Sequence, residues 1–250
     1  NNVAIGYGTL ASMDWNASNY NVAVGYNAGT AVSSGLYNTL LGGLAGDSIT
    51  AGSYNVAVGY NALATEDAHG RNIAIGTNAL TALDAGDDAY NVAIGHNAGL
   101  SVTTGVQNTL IGGLAGDALT SGSENIAIGQ NALGAEDTGS HSIAIGRKAL
   151  FNQNYNGSAY NIAIGHQAGT NVTTGFQNTF IGGLAGDALT TGSQNVAIGY
   201  LALTSANSNE NYNVAIGTGS LMNLDGSGDM WNTAVGTNSG LSVTTGTQNT

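Results

Sequence analysis

Side chains able to bind a ligand gather in four stretches: ASMDWNASNY (11–20), TALDAGDDAY (81–90), FNQNYNGSAY (151–160) and MNLDGSGDMW (222–231). Each ends in an aromatic, namely Tyr20, Tyr90, Tyr160 or Trp231, and Trp15, Phe151 and Tyr155 add further rings. Aromatic faces stack on sugar rings, while neighbouring Asn and Asp side chains bond hydroxyls. These residues are therefore candidates for contacting a glycan. The competing reading is that Tyr20 and its equivalents pack against a neighbouring coil or chain. Two stretches are also acidic, with Asp84, Asp87 and Asp88 in one and Asp225 and Asp229 in the other. Hard cations take clustered oxygens, so these acids are candidate calcium ligands, although their spacing matches no standard calcium loop.

Other reactive groups are sparse. The four histidines are His69, His96, His141 and His166. His96 and His166 occupy equivalent places about 19 Å apart along a stacked sheet, too far to share a metal within one chain. The GGLAGD segments at Gly42, Gly112 and Gly182 lack the lysine and helix of a phosphate loop. They read better as turns in which Asp47, Asp117 and Asp187 accept backbone N–H groups. Polysaccharide-cleaving solenoids gather acids and bases in one cleft. Here the only basic side chains besides histidine are Arg71, Arg147 and Lys148, so no catalytic residue is assigned.

Composition narrows the partners. The net charge is −12, which argues against nucleic acid and against an anionic membrane surface. Cysteine is absent, so disulfides and thiolate metal sites are excluded. No apolar run approaches the roughly 20 residues of a membrane span, and insertion by this segment is not expected.

What must position the loops is a repeat. Asn-x-Ala-x-Gly, with β-branched residues mostly at x, begins at Asn2, Asn21, Asn38, Asn55 and Asn72 and continues to Asn249, with Ser142 as the one departure from Asn. Starts lie 17–19 residues apart, and a block of about 70 residues recurs from near 21, 91, 161 and 232. Such a period fits one coil of an all-β parallel solenoid, with about 14 coils and two short strands per coil. Alternation along each strand would place Ile5, Val24, Ile75, Ile94 and Ile128 in one buried row and the small Ala on the opposite face. Leu40, Leu110 and Phe180 in place of Ala would then bulge outward. The fixed glycine, as at Gly25, Gly95 and Gly165, implies a corner with no room for Cβ. The leading Asn21, Asn91 and Asn161 imply a hydrogen-bonded ladder. No polar cap is visible, so residues 1–250 read as one solenoid segment, an excerpt of a longer fibre roughly 65–70 Å long at the usual strand spacing.

The NVAIG, NIAIG and SIAIG motifs resemble the head repeats of YadA-like trimeric autotransporter adhesins. NVAVGYNAG, NTLIGG and AGDALTTGS are even more similar to repeats of bacteriophage tail fibres, including those of cyanophages. The resemblance covers the whole chain, although the familiar adhesin coil is shorter. It implies a left-handed β-roll, a homotrimer, and attachment to a host cell-surface glycan or receptor from a virion tail fibre or an extracellular surface. Paired threonines at Thr103/Thr104, Thr173/Thr174 and Thr244/Thr245 also resemble ice-binding solenoids, but they occupy too few coils for a long flat threonine face.

Overall fold

The computed structural model describes residues 1–14, 18–205 and 209–250. It is all-β, with one three-residue strand per coil and no α-helix among the described residues. All strand pairs are parallel, and the strands follow in sequence order. Two compact units divide the chain at Glu124/Asn125. The first holds β1 (Val3–Ile5), β2 (Val22–Val24), β3 (Thr39–Leu41), β4 (Val56–Val58), β5 (Ile73–Ile75), β6 (Val92–Ile94) and β7 (Thr109–Ile111). The second holds β8 (Ile126–Ile128), β9 (Ile143–Ile145), β10 (Ile162–Ile164), β11 (Thr179–Ile181), β12 (Val196–Ile198), β13 (Val214–Ile216) and β14 (Thr233–Val235). Coils are numbered here by their strands. The expected second strand of each coil is replaced by turns, apart from isolated bridges at Ser140–Ser158 and Asn211–Asp229.

Strands stack in perfect register. Val22, Ala23 and Val24 face Thr39, Leu40 and Leu41 one coil on. Like side chains therefore form continuous rows, but the rows are inverted relative to the sequence expectation. The central Ala23, Ala57, Ala93, Ala127 and Ala163 are fully buried. Ile5 is exposed, and Val24, Ile75, Ile94 and Ile128 are only half-buried. Leu40, Leu110 and Phe180 point into the coil rather than out of it, since all three are fully buried.

Volume explains the inversion. The coil is narrow, and its interior is already filled from the turn after the strand by Leu10, Leu63, Leu80, Leu133, Leu150, Leu203 and Leu221. Only alanine fits opposite these leucines. Where the strand centre is large, the turn position becomes glycine: Gly46 for Leu40, Gly116 for Leu110 and Gly186 for Phe180. A Cβ on Gly46 or Gly116 would come within 2.8 Å of the leucine it faces. The preceding coils also have glycine here, Gly29, Gly99 and Gly169, where a Cβ would come within 2.8 Å of the same Leu40, Leu110 or Phe180, so one large strand residue fills the interior of two close-packed coils.

The turn leucines adopt a left-handed backbone, with φ of 49° at Leu10 and 52° at Leu63. That conformation costs a non-glycine residue about 1–2 kcal/mol. Full burial of the leucine side chain contributes about 1.5–3 kcal/mol and offsets it. Glycine at the strand end is required more strictly. Gly59 has φ of 135°, and a Cβ there would lie 2.6 Å from the Gly76 carbonyl oxygen.

The asparagine ladder is present. The Asn38 amide donates to Asn21 Oδ1 at 2.8 Å, and the Asn55 amide donates to Asn38 Oδ1 at 2.9 Å. The other end of each side chain donates to a carbonyl, as Asn38 Nδ2 does to Gly52 at 2.8 Å. Asn21, Asn91 and Asn161 are fully buried yet satisfied, which removes the penalty of burying an amide.

Candidate functional site

The residue just before each ladder asparagine also takes a left-handed backbone, with φ of 55° at Tyr20, 57° at Tyr37 and 61° at Tyr54. This turn throws the side chain outward, and in-register stacking sets the rings above one another. Tyr20 and Tyr37 stack at 5.4 Å between centroids, and Tyr37 and Tyr54 at 5.1 Å. Arg71 continues the column, its guanidinium 5.0 Å from the Tyr54 ring and 5.7 Å from the Tyr90 ring. Asp88 holds Arg71 in place, with Nε to Oδ2 at 2.7 Å. The four tyrosines remain about half exposed. The result is an aromatic column in the first unit, crossed by one cation at the preferred distance for a cation–π contact.

The second unit has shorter pieces of the same column. His141 lies 5.1 Å from Tyr160, and Tyr212 stacks on Trp231 at 4.0 Å with the rings nearly parallel. Tyr160 and Trp231 are about half exposed. Phe151 and Tyr155 are half-buried, Phe151 beside Lys148 Nζ and Tyr155 beside Phe176. Trp15 lies outside the described residues. Tyr20, Tyr90, Tyr160 and Trp231 thus belong to one kind of column, whereas Phe151 and Tyr155 make separate contacts.

Tyr37, Tyr54, Arg71 and Tyr212 were missed as members of the column. Their signal was available, because each immediately precedes a ladder asparagine as Tyr20 does. A second exposed row runs through Tyr7, Tyr26, Tyr60 and Tyr200, with Tyr7 and Tyr26 stacked at 5.6 Å. His96 and His166 are exposed in that row, and His166 Nε2 lies 3.3 Å from Arg147 Nη1.

Three of the candidate calcium ligands, Asp87, Asp88 and Asp229, accept hydrogen bonds from the chain. Asp88 accepts from Gly70 and Arg71, and Asp87 accepts from the Asp88 amide. Asp229 accepts from Asn211 Nδ2 at 3.1 Å. Asp84 and Asp225 are exposed. In the GGLAGD turns, partial burial pushes Asp47, Asp117 and Asp187 above the usual carboxylate range, opposed by backbone N–H groups as the turn reading expected.

Three glutamates, Glu66, Glu136 and Glu210, are fully buried, and the sequence reading singled out none of them. Glu136 is fully engaged: Oε1 accepts from the Gly139 amide at 2.8 Å, and Oε2 from Gln153 Nε2 at 2.8 Å and the Tyr155 amide at 3.3 Å. Glu66 is engaged at one oxygen only, where the His69 amide donates to Oε1 at 3.1 Å. Comparison with protein-family models, curated proteins and solved structures finds no match for this chain.

Proposed function

We propose that this chain is a structural and adhesive segment of a trimeric surface fibre, of the bacteriophage tail-fibre kind, that contacts the host surface. The observation that carries the reading is the outward row of Val and Ile. In every paired strand except β1 the centre is buried, while the flanking residues stay half-exposed or exposed. An apolar row that repeats once per coil is covered along its length only by a surface with the same coil rise. Another copy of this chain has that rise. Three copies carry 3 × (−12) = −36 charges, so apolar contact must outweigh considerable repulsion.

The aromatic column supplies the adhesive part. Its rings cover one another's faces and offer their outer edges and hydroxyls, and because neighbours hold them, little conformational freedom is lost when a sugar's hydroxyls settle against them. The chain's few cations favour a neutral glycan as the ligand. An autotransporter adhesin head would use the same two surfaces, and the extended NVAVGYNAG and AGDALTTGS repeats favour the phage reading.

Assembly is tested by light scattering on the purified chain at micromolar concentration. Three times the monomer mass is expected, falling toward one when Ile75, Ile94 and Val92 are replaced by Thr. A monomeric parent chain overturns the trimer. Adhesion is tested with Tyr37→Ala plus Tyr54→Ala, which should weaken binding to host cells while the circular dichroism spectrum stays unchanged.

A further inference from the structure

Glu66 presents an unsolved electrostatic problem. Its side chain is fully buried, and Oε2 has no hydrogen-bond partner. At a spacing of 17 residues, the coils before and after place Ile49 and Leu83 at the same position, and both are fully buried hydrophobes. The Ala85 amide faces the carboxylate and favours its charge, but not at hydrogen-bonding geometry. A buried, half-satisfied carboxylate needs a positive partner.

That partner is partly supplied by the next residues. His69 Nδ1 lies 3.6 Å from Glu66 Oε1 and is itself buried without a hydrogen bond. Asp67 is exposed at the surface beside it. One ligand atom from each of Glu66, Asp67 and His69 falls within 4.8 Å of the others. Ligands about 2.0–2.1 Å from a tetrahedral ion are about 3.4 Å apart, so only a small closure brings this group around a metal. The inner half of the group is dry and the outer half open to solvent, which gives an ion a route in.

We infer that Glu66, Asp67 and His69 form a binding site for a divalent transition-metal cation of the zinc kind. Two carboxylate oxygens and an imidazole nitrogen suit such an ion better than calcium, which takes six to eight oxygens. Three protein ligands leave a fourth position for water. The chain contains its own control in the equivalent place 70 residues on (136 − 66 = 70). There Gly139 stands for His69, and Gln153 stands for Leu83 and bonds the second glutamate oxygen. The His69 imidazole and the orphaned oxygen are the two features that coil 4 has and coil 8 lacks.

The test is calorimetric titration of zinc chloride into chelator-stripped protein at neutral pH. One binding event per chain is expected that disappears in His69→Gly and weakens about tenfold or more in Leu83→Gln, which offers Oε2 the partner that Glu136 has. Calcium at the same concentration should not displace the zinc. Circular dichroism establishes that each variant is folded. His69→Gly installs the residue the equivalent coil already carries, so it decides the matter even if Leu83→Gln does not fold. Absence of the event in the parent chain, its persistence unchanged in His69→Gly, or equal competition by calcium overturns the assignment.

Discussion

Glu66 and Glu136 occupy the same place in successive 70-residue blocks, both fully buried and both accepting the amide three residues further on. Their surroundings then diverge. Around Glu136, Gln153 joins three coils: its amide donates to Glu136 Oε2 and to Ser142 Oγ, and its oxygen accepts from Asn161 Nδ2, each at 2.8 Å. Around Glu66, Leu83 replaces Gln153 and Asn72 replaces Ser142. Asn72 keeps the ladder whole, its Oδ1 accepting from the Asn91 amide at 3.1 Å, where Ser142 has no such oxygen. The satisfied glutamate therefore lies one coil before the broken ladder, and the orphaned one lies one coil before an intact ladder position. Each glutamate finds one partner in its own coil, and the second oxygen depends on what the next coil supplies.

The comparison breaks most severely at Gln153. Gln153→Leu copies the Leu83 arrangement but leaves Ser142 in the ladder. Glu136 Oε2 then keeps only the long Tyr155 bond, and Ser142 Oγ loses the Gln153 amide. Each buried polar group stranded in this way costs about 1–3 kcal/mol, more when charged. A loss of about 3 kcal/mol or more is expected from the urea midpoint. Adding Ser142→Asn should recover part of it, since the neighbouring sites couple. Simple additivity of the two changes would refute the three-coil network.

The same substitution at the two glutamates should have unequal effects. Glu136 accepts three N–H donors, so Glu136→Gln forces a donor to face a donor and should cost about 1–3 kcal/mol. Glu66→Gln removes a buried charge while keeping an oxygen for the His69 amide. It should change stability in metal-free buffer by less than about 1 kcal/mol, or raise it. Equal losses in thermal melts would mean that the two environments do not differ in the way their hydrogen bonds imply.

The contrast also marks what could be read from sequence. The period, the parallel stacking, the glycine corner and the asparagine ladder follow from a motif that every coil repeats. The facing of the strands did not, because Val-Ala-Ile alternates equally well either way. The deciding signal was a pair of turn glycines around each large strand residue, one in its own coil and one in the coil before: Gly29 and Gly46 for Leu40, Gly99 and Gly116 for Leu110, and Gly169 and Gly186 for Phe180. Those pairs share one interior, so the large strand residue must point inward. The aromatic column was half legible, since only the longest loops drew notice and Tyr37, Tyr54 and Arg71 come from ordinary coils. The buried glutamates were illegible because Glu66 and Glu136 look like surface acids, and burial depends on what lies 17 residues before and after.

The smallest expected effect concerns a second pair of equivalent acids. Asp187 accepts a hydrogen bond from Thr204 Oγ1, whereas Ala64 holds the corresponding place beside Asp47, whose Oδ1 is buried without a partner. Burial raises both carboxyls from 3.8, and at Asp187 the threonine opposes the rise. A carboxyl whose folded pKa exceeds its unfolded value gives a stability contribution that is full below 3.8 and lost as pH rises through the folded value. Ala64→Thr should give Asp47 the missing donor and lower its folded pKa toward the unfolded one. The variant should then match the parent in acid and become the more stable of the two only above the folded pKa of Asp47, by less than about 1 kcal/mol for one partly exposed hydrogen bond. Thr204→Ala should do the reverse at Asp187. Melting temperatures measured from pH 3 to pH 7 (about the range in which such a carboxyl titrates) test the pair. Parallel curves for parent and variant would show that neither hydroxyl bears on its carboxylate.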